Sequence, residues 1–244
     1  MAENLITTSE IKELIANGER LPLAMDSYPS RGQTAVQELY QTQKGKFFLK
    51  RVSERNHVEC QIDVQSGTLA EREFWAYSFA SSIGIPAPKL WLFDELTTVQ
   101  VWFDCPDGRT YKKSTGKMVL DARNIFDCST FDWVTGQLDR HDANYLYDFR
   151  NGLIIPVDSA HGFLKYEGSL PDYLHLFEIG SPAILKRRIS TPTQKRLGEL
   201  SEDNLKKIVP LRNADEANAF AYRKRALDGM NTIQDLLDLY RSKR

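Results

Sequence analysis

Cysteine is scarce in this chain. The three present, Cys60, Cys105 and Cys128, are odd in number and far apart. A disulfide framework is excluded, and none of the paired Cys/His spacings of a structural zinc site occurs. Reduced thiols in a cytosol-like compartment are the expectation. Long apolar runs are missing too: none approaches the roughly 18 residues of a membrane span. The opening MAENLITTSEIKEL has neither the basic segment nor the apolar core of a secretory signal. The expected location is cytoplasmic, or a host cell reached without a cleavable signal. Neither sign of charge is in excess: 32 Lys and Arg face 33 Asp and Glu, a net charge of −1, so no global field points to nucleic acid. Internal repeats and low-complexity segments are absent. What is present is an ordinary globular composition, 41% hydrophobic and 27% charged. A chain of 244 residues is long enough for one domain or two apposed lobes.

Local patterns give the order of elements. Thr7-x-x-Glu10 is a capping box before Ile11, Leu14 and Ile15, so a short helix opens the chain. A run from Leu21 to Met25 and a turn-rich stretch, Asp26 to Gln33, precede two strand-like runs, Thr34–Gln41 and Lys46–Val52, joined at Lys44-Gly45. Thr68 to Ile83 reads as a helix that stops at Gly84, with Pro86 and Pro88 just beyond. Lys89–Phe93 and Thr98–Phe103 read as strands around Asp94-Glu95, and Asp104 to Gly108 as a linker. Beyond it, Phe131–Leu138 carries mixed helix signals. Strands Tyr145–Tyr147 and Leu153–Val157 flank Arg150-Asn-Gly152. Asn213-x-x-Glu216 caps a helix to about Leu227, and Ile233, Leu236, Leu237 and Tyr240 mark the apolar stripe of the last one. The four tryptophans read as core.

Asp139, Asn144 and Asp158 carry the chemistry. An Asp and an Asn five residues apart in a loop supply a group that orients an attacking hydroxyl and a hard oxygen for magnesium. A second Asp at the end of the buried strand Leu153–Val157 closes on the same ion, because the hairpin returns it towards Asn144. That is the equipment of phosphoryl transfer.

Gly136-Gln-Leu-Asp139-Arg140-His141-Asp-Ala-Asn144, then Gly152-Leu-Ile-Ile-Pro-Val-Asp158 and Phe163, resembles the catalytic core of phosphatidylinositol 3- and 4-kinases, with G-x-x-D-R-H-x-x-N followed by I-D-x-G-x-x-F. The order Asp-Arg-His separates it from ordinary eukaryotic protein kinases, and atypical protein kinases share related arrangements. The resemblance implies an α+β, two-lobed protein-kinase-like fold, with a β-rich N-lobe over residues 1–104 and a mainly helical C-lobe over 105–244. It implies ATP with magnesium, or manganese in its place. Asp139 would be the catalytic aspartate and His141 a proton acceptor, with Asn144 and Asp158 the metal ligands. The family's glycine two residues after the metal aspartate is Ala160 here, with Gly162 later. Ala160 does not cheaply adopt the backbone angles that glycine allows.

A kinase also needs a strand lysine on the nucleotide phosphates, held by a helix glutamate. Phe47-Phe-Leu-Lys50 offers the lysine. Of two helix acids, Glu73 shares a face with Leu69, Ala76, Ala80 and Ile83, whereas Glu71 falls on a more polar line, so Glu73 is the inward partner. Ser30-Arg-Gly32-Gln-Thr34 stands where the phosphate-covering loop belongs, which makes Ser30 and Gly32 nucleotide contacts; a plain hairpin turn is the equal alternative. The adenine edge belongs near Val101 to Cys105. The segment Ser159–Asp172 has no basic run, and the nearest cluster is Lys186-Arg-Arg188. The reading is an ATP- and magnesium-dependent atypical Ser/Thr protein kinase with a protein substrate. The alternatives are a phosphoinositide kinase binding an anionic lipid or inositol phosphate, and an ATP-binding pseudokinase acting as an interaction module.

Overall fold

The computed structural model describes residues 6–23, 35–117, 122–163, 186–227 and 229–242. The capping box forms as expected: Thr7 Oγ1 accepts from Glu10 N at 3.2 Å and the Glu10 carboxylate accepts from Thr7 N at 2.7 Å. Helix α1 (Thr8–Ala16) buries Ile11, Leu14 and Ile15 on one face of an antiparallel sheet, against Phe47, Leu49, Trp91 and Val99. The sheet has strands β1 (Glu19–Leu21), β2 (Ala35–Thr42), β3 (Gly45–Val52), β4 (Leu90–Asp94) and β5 (Thr97–Val101), in the order β1-β2-β3-β5-β4. Because side chains alternate along a strand, Phe47 and Leu49 on the α1 side leave Lys50 on the other. The first strand, Glu19–Leu21, ends before Pro22; Ala24 and Met25 of the expected run lie outside the described residues. The expected strand Thr98–Phe103 is Thr97–Val101 and stops short of Phe103, where the Trp102 N–H turns to the Lys46 carbonyl at 3.0 Å. Ser30, Gly32 and Thr34 lie outside the described residues.

Two short elements without a clear sequence signal follow β3: α2 (Glu54–Glu59) and a 3-10 turn, Val64–Ser66. Helix α3 (Leu69–Ile83) starts at Thr68, whose hydroxyl accepts from Glu71 N, and ends at Gly84, φ +80°. A β-carbon at Gly84 would be in the left-handed region and would also overlap the Arg196 guanidinium. The helix is buried nearly all round. Leu69 and Ala70 pack with Val52 and Ile62, while Trp75, Ala76, Phe79, Ala80 and Ile83 join the large core built with the later helices.

The second half comprises α4 (Gly108–Thr115), α5 (Ile125–Thr135), the hairpin β6 (Tyr145–Asp148) and β7 (Leu153–Pro156), then α6 (Thr191–Glu199), α7 (Glu202–Ile208), α8 (Ala214–Arg225) and α9 (Ile233–Ser242). The result is the expected α+β arrangement: an antiparallel sheet first, helices after it. Three boundaries differ from the sequence reading. The Asp104–Gly108 linker ends in structure, because Asp107 caps α4 by accepting from Thr110 N at 2.6 Å. The mixed signal at Phe131–Leu138 is the tail of α5, which begins at Ile125 and stops at Gly136, φ +62°. Ile125, Phe126, Cys128, Phe131, Trp133 and Val134 are all buried, so α5 has no polar face to give it a 3.6-residue period. Helix α8 ends at Arg225, short of Leu227. Among the described residues no helix is long and apolar enough to cross a membrane.

Candidate active site

Lys50 lies in the middle strand of the sheet, opposite Gln37 of β2 and Thr98 of β5. Its Nζ is 3.2 Å from the Glu73 carboxylate of α3 and forms a short ion pair with Asp158 just past β7. The three side chains are 11%, 7% and 19% exposed, so the cation and two carboxylates share a nearly dry site. Burial opposes the lysine's charge, yet the two carboxylates outweigh it and hold the ammonium above its ordinary range. Burial also opposes the Asp158 carboxylate, and the Lys50 charge overcomes it, keeping Asp158 below the ordinary range. Glu73 is pushed up, since burial and the Asp158 charge exceed the help it receives from Lys50. Lys50 thus stabilises Asp158 first and Glu73 second.

The loop Asp139–Asn144 is organised by Arg140. Its side chain is fully buried, with Nε at 3.1 Å from both Asp132 carboxylate oxygens. It also donates to the Asn144 carbonyl, to the Val157 carbonyl at 2.6 Å and to Ser159 Oγ at 2.8 Å. One guanidinium therefore joins α5, the loop and the residues on both sides of Asp158. Burial pushes the Asp132 carboxyl up to about 6, against the pull of Arg140. Asn144 donates from Nδ2 to the Asp139 carbonyl at 2.6 Å and to Asp139 Oδ2 at 3.2 Å. Its Oδ1 has no hydrogen bond among the described residues. His141 Nε2 stands 3.8 Å from Asp139 Oδ1, and its Nδ1 accepts from Ala143 N at 3.1 Å.

The glycine displaced from position 160 is not where the backbone needs one. The left-handed conformations fall on Asp158, φ +51°, and Phe163, φ +64°. Aspartate tolerates this region better than most residues. Phe163 is held there by a 2.6 Å bond from its N–H to the Thr135 carbonyl and by its ring edge-on to Phe220, centroids 5.3 Å apart.

Lys50, Glu73 and Asp158 are therefore joined directly, and Arg140 ties Asp158 to the Asp139–Asn144 loop. His141 flanks Asp139. Asp139 and Asn144 make no hydrogen bond or ion pair with Lys50. The basic cluster after the site is dispersed: Arg187 turns inward to the Ala122 carbonyl at 2.6 Å, and Arg188 bridges to Thr232. Residues 164–172 of the following segment lie outside the described residues.

No protein-family model matches the chain, and no curated protein does. Among solved structures it is similar to the Helicobacter pylori proinflammatory kinase CtkA, at 10% identity and a TM-score of 0.45 over 90% of this chain and 94% of that one. It is also similar to the Rio2 kinase of Chaetomium thermophilum, solved as its ADP/Mg2+-phosphoaspartate complex, at 13% identity and a TM-score of 0.43 over 80% and 68%. Both are kinases.

Several residues that shape the site gave no functional signal in the sequence. Arg72, next to Glu73, is fully buried. It donates to the Gly67 carbonyl at 3.0 Å, the Gly162 carbonyl at 3.2 Å, Ser66 Oγ at 2.7 Å and both oxygens of Glu216 in α8 at 2.9 and 3.0 Å. His57 is buried, and its Nε2 accepts from Leu69 N at 3.1 Å, at the start of α3. Cys60 Sγ lies 3.5 Å from His161 Nε2; burial first, then the charges of Asp139 and Asp158, push that thiol up. A buried arginine in a helix reads as an ordinary polar residue, and its partners lie up to 144 positions away.

Proposed function

We propose that this chain is an ATP- and magnesium-dependent phosphotransferase of the atypical kinase type, acting on a protein Ser or Thr hydroxyl. The observation that carries this reading is the Lys50–Glu73 ion pair at 3.2 Å closing on Asp158. A strand lysine, a helix glutamate and an aspartate after a hairpin converge here on one buried site, a costly gathering of three charges of the kind a phosphate-binding centre uses. In this reading an N-lobe of residues 1–104 and a C-lobe of residues 105–244 meet at that site, and Ser30 and Gly32 are nucleotide contacts by their place in the sequence alone.

Asp158 and the free Oδ1 of Asn144 fit a magnesium ion. Among the described residues no three acid, His or Cys side chains converge as a ready-made cage, and magnesium with a nucleotide needs only one or two protein oxygens besides phosphate and water. When bound, the ion would neutralise charge on the transferring phosphates. Lys50 is placed to face the phosphates, with Glu73 fixing its direction. Asp139, 43% exposed and steadied by the Asn144 amide, orients the acceptor hydroxyl and accepts its proton; His141, whose Nδ1 already accepts from Ala143 N, turns its Nε2–H towards Asp139 and steadies it. Leu146, Ile155 and Val157 form an apolar cluster with Trp102, Phe103 and Cys105, a surface suited to adenine. The N–H groups of Val101 and Trp102 already donate to Lys89 and Lys46 carbonyls, which leaves Phe103 to Cys105 to pair with the base edge.

One observation favours a second reading. Asp158 is already engaged by Lys50, as in an ATP-binding pseudokinase that does not turn over. Incubation with γ-labelled ATP and magnesium separates the readings, using a mixture of proteins in one arm and phosphatidylinositol vesicles in the other. Label in protein is expected. Label confined to lipid would make the protein a phosphoinositide kinase, and ATP bound with no label anywhere would leave the pseudokinase.

A further inference from the structure

Helix α4 and the residue after its cap form a stripe of positive charge that no contact among the described residues explains. Its sequence, Gly108-Arg-Thr-Tyr-Lys-Lys-Ser-Thr115, continues into Gly116-Lys117, with no acid between Asp107 and Asp121. At 100° per residue, Arg109, Lys112 and Lys113 fall within an arc of about 100°. Tyr111, on the other side, packs edge-on to Tyr147 of β6 with centroids 4.9 Å apart, so the cations face outward. All four cations are exposed. Among the described residues only Lys112 has an acidic neighbour, Asp142 at 4.0 Å. Arg109, Lys113 and Lys117 make no ion pair with a described acid. The helix dipole accounts for Lys112 and Lys113 in the last turn, but a cation in the first turn, as at Arg109, opposes the dipole. Helix stability therefore does not explain the set.

The stripe begins at the catalytic loop. The Arg109 N–H donates to the Asp142 carbonyl at 2.9 Å, and Asp107 bridges to Leu146. Asp142 is three residues from Asp139 and two from Asn144. The eight-residue helix is about 12 Å long, which matches three or four residues of extended peptide. In a chain whose net charge is −1, this is a local field beside the proposed acceptor site, where it would concentrate an anionic partner.

We infer that α4 is a docking surface for an acidic segment of a protein substrate, which would lie along Arg109, Lys112, Lys113 and Lys117 while its hydroxyl reaches Asp139. This rests on the phosphotransferase reading and names the class of its substrate. A membrane-binding helix would also present large apolar side chains to the lipid. The exposed ones among the described residues are Val36, Val58, Val64 and Phe149, none of them on α4.

The test uses two fluorescent Ser-containing peptides, one with a run of glutamates and a counterpart with glutamines in their place. Polarisation gives their affinities for the wild type, for Arg109→Glu/Lys113→Glu and for Arg109→Gln/Lys113→Gln, at low and high salt. Lys112 is left in place because it neighbours Asp142. The wild type is expected to prefer the glutamate peptide about tenfold, a preference weakened by salt and lost in both variants. Both variants are expected to phosphorylate the glutamine peptide at the wild-type rate. Equal binding of the two peptides, or a glutamate preference that survives in the variants, would overturn the inference. So would binding to phosphatidylserine vesicles through these residues without binding to peptide. Polarisation reads binding without turnover, so a glutamate preference with no phosphoryl transfer would count against the proposed activity and leave the docking surface standing.

Discussion

Lys50 sits between two buried carboxylates, and removing it leaves both without a counter-charge. Lys50→Met is expected to destabilise the protein by about 3–5 kcal/mol at neutral pH, the usual penalty for breaking a buried pair from one side. The loss should shrink in acid, where the two buried carboxylates take up protons more readily in the variant than in the wild type because Lys50 no longer holds them ionised; urea denaturation at pH 7 and pH 5 checks both parts. His57 gives a pH effect of its own. Its Nε2 accepts from the first N–H of α3, so the ring is neutral. Burial and the nearby Arg72 charge lower its pKa, against smaller opposing effects of the Ser53 backbone and Glu54. The folded pKa is below the unfolded one. Its contribution is therefore fully present above about 6.5 and is lost as pH falls through the folded value. His57→Gln, which keeps an acceptor but cannot be protonated, should lose less stability than the wild type between pH 7 and pH 5. Equal losses would rule out a role for this ring. The comparison isolates His57 from Asp132, whose raised pKa acts with the opposite sign. At this scale the sequence singled out Lys50, Glu73, Asp139, Asn144 and Asp158 as candidates, because each belongs to a short pattern or a helical offset, and the structure joins the first two to Asp158. Arg72, Arg140 and His57 stayed hidden because their roles are made by partners distant in the chain.

Helix α3 carries Glu73 into the site, and two ion pairs made by the residues just before it fasten the helix to later elements. Glu71 pairs with Arg212 at 2.6 Å on the surface, and Arg72 pairs with Glu216 at 2.9 Å in the interior. Arg72 also holds the Gly162 carbonyl, so the helix that aims Glu73 and the segment after Asp158 share one anchor. The two pairs should differ sharply in weight. Arg212, 53% exposed, should change stability by less than about 1 kcal/mol when replaced by Ala. Arg72→Met should lose about 3–5 kcal/mol, because Glu216 is left buried and unpaired, and amide exchange of α3 should rise with it. Comparable small effects from both would show that α3 is held by its apolar packing alone. The ends of α3 were legible, since Thr68 caps it and Gly84 stops it. The start of α5 was not, because a helix buried on every side has no polar stripe.

On the scale of the whole molecule, an antiparallel sheet and a helical half meet where Lys50, Glu73 and Asp158 join. The strand order, with β5 beside β3 and β4 at the edge, places Lys50 in the middle strand, where β2 and β5 fix its direction. This organisation was largely readable from turn residues and strand alternation. The regions that resisted reading were α2, the 3-10 turn and α4, which are too short for a period to emerge. The central claim is that Asp139 serves phosphoryl transfer and is not a structural residue. The most direct measurement is the single-turnover rate of γ-phosphoryl transfer from magnesium-ATP to a protein acceptor, for the wild type and Asp139→Asn. The amide keeps an oxygen to accept from Asn144 Nδ2 but cannot take a proton. A fall of about 10²–10⁴-fold is expected, with ATP affinity and thermal unfolding unchanged. A variant that transfers phosphate at the wild-type rate would contradict the account.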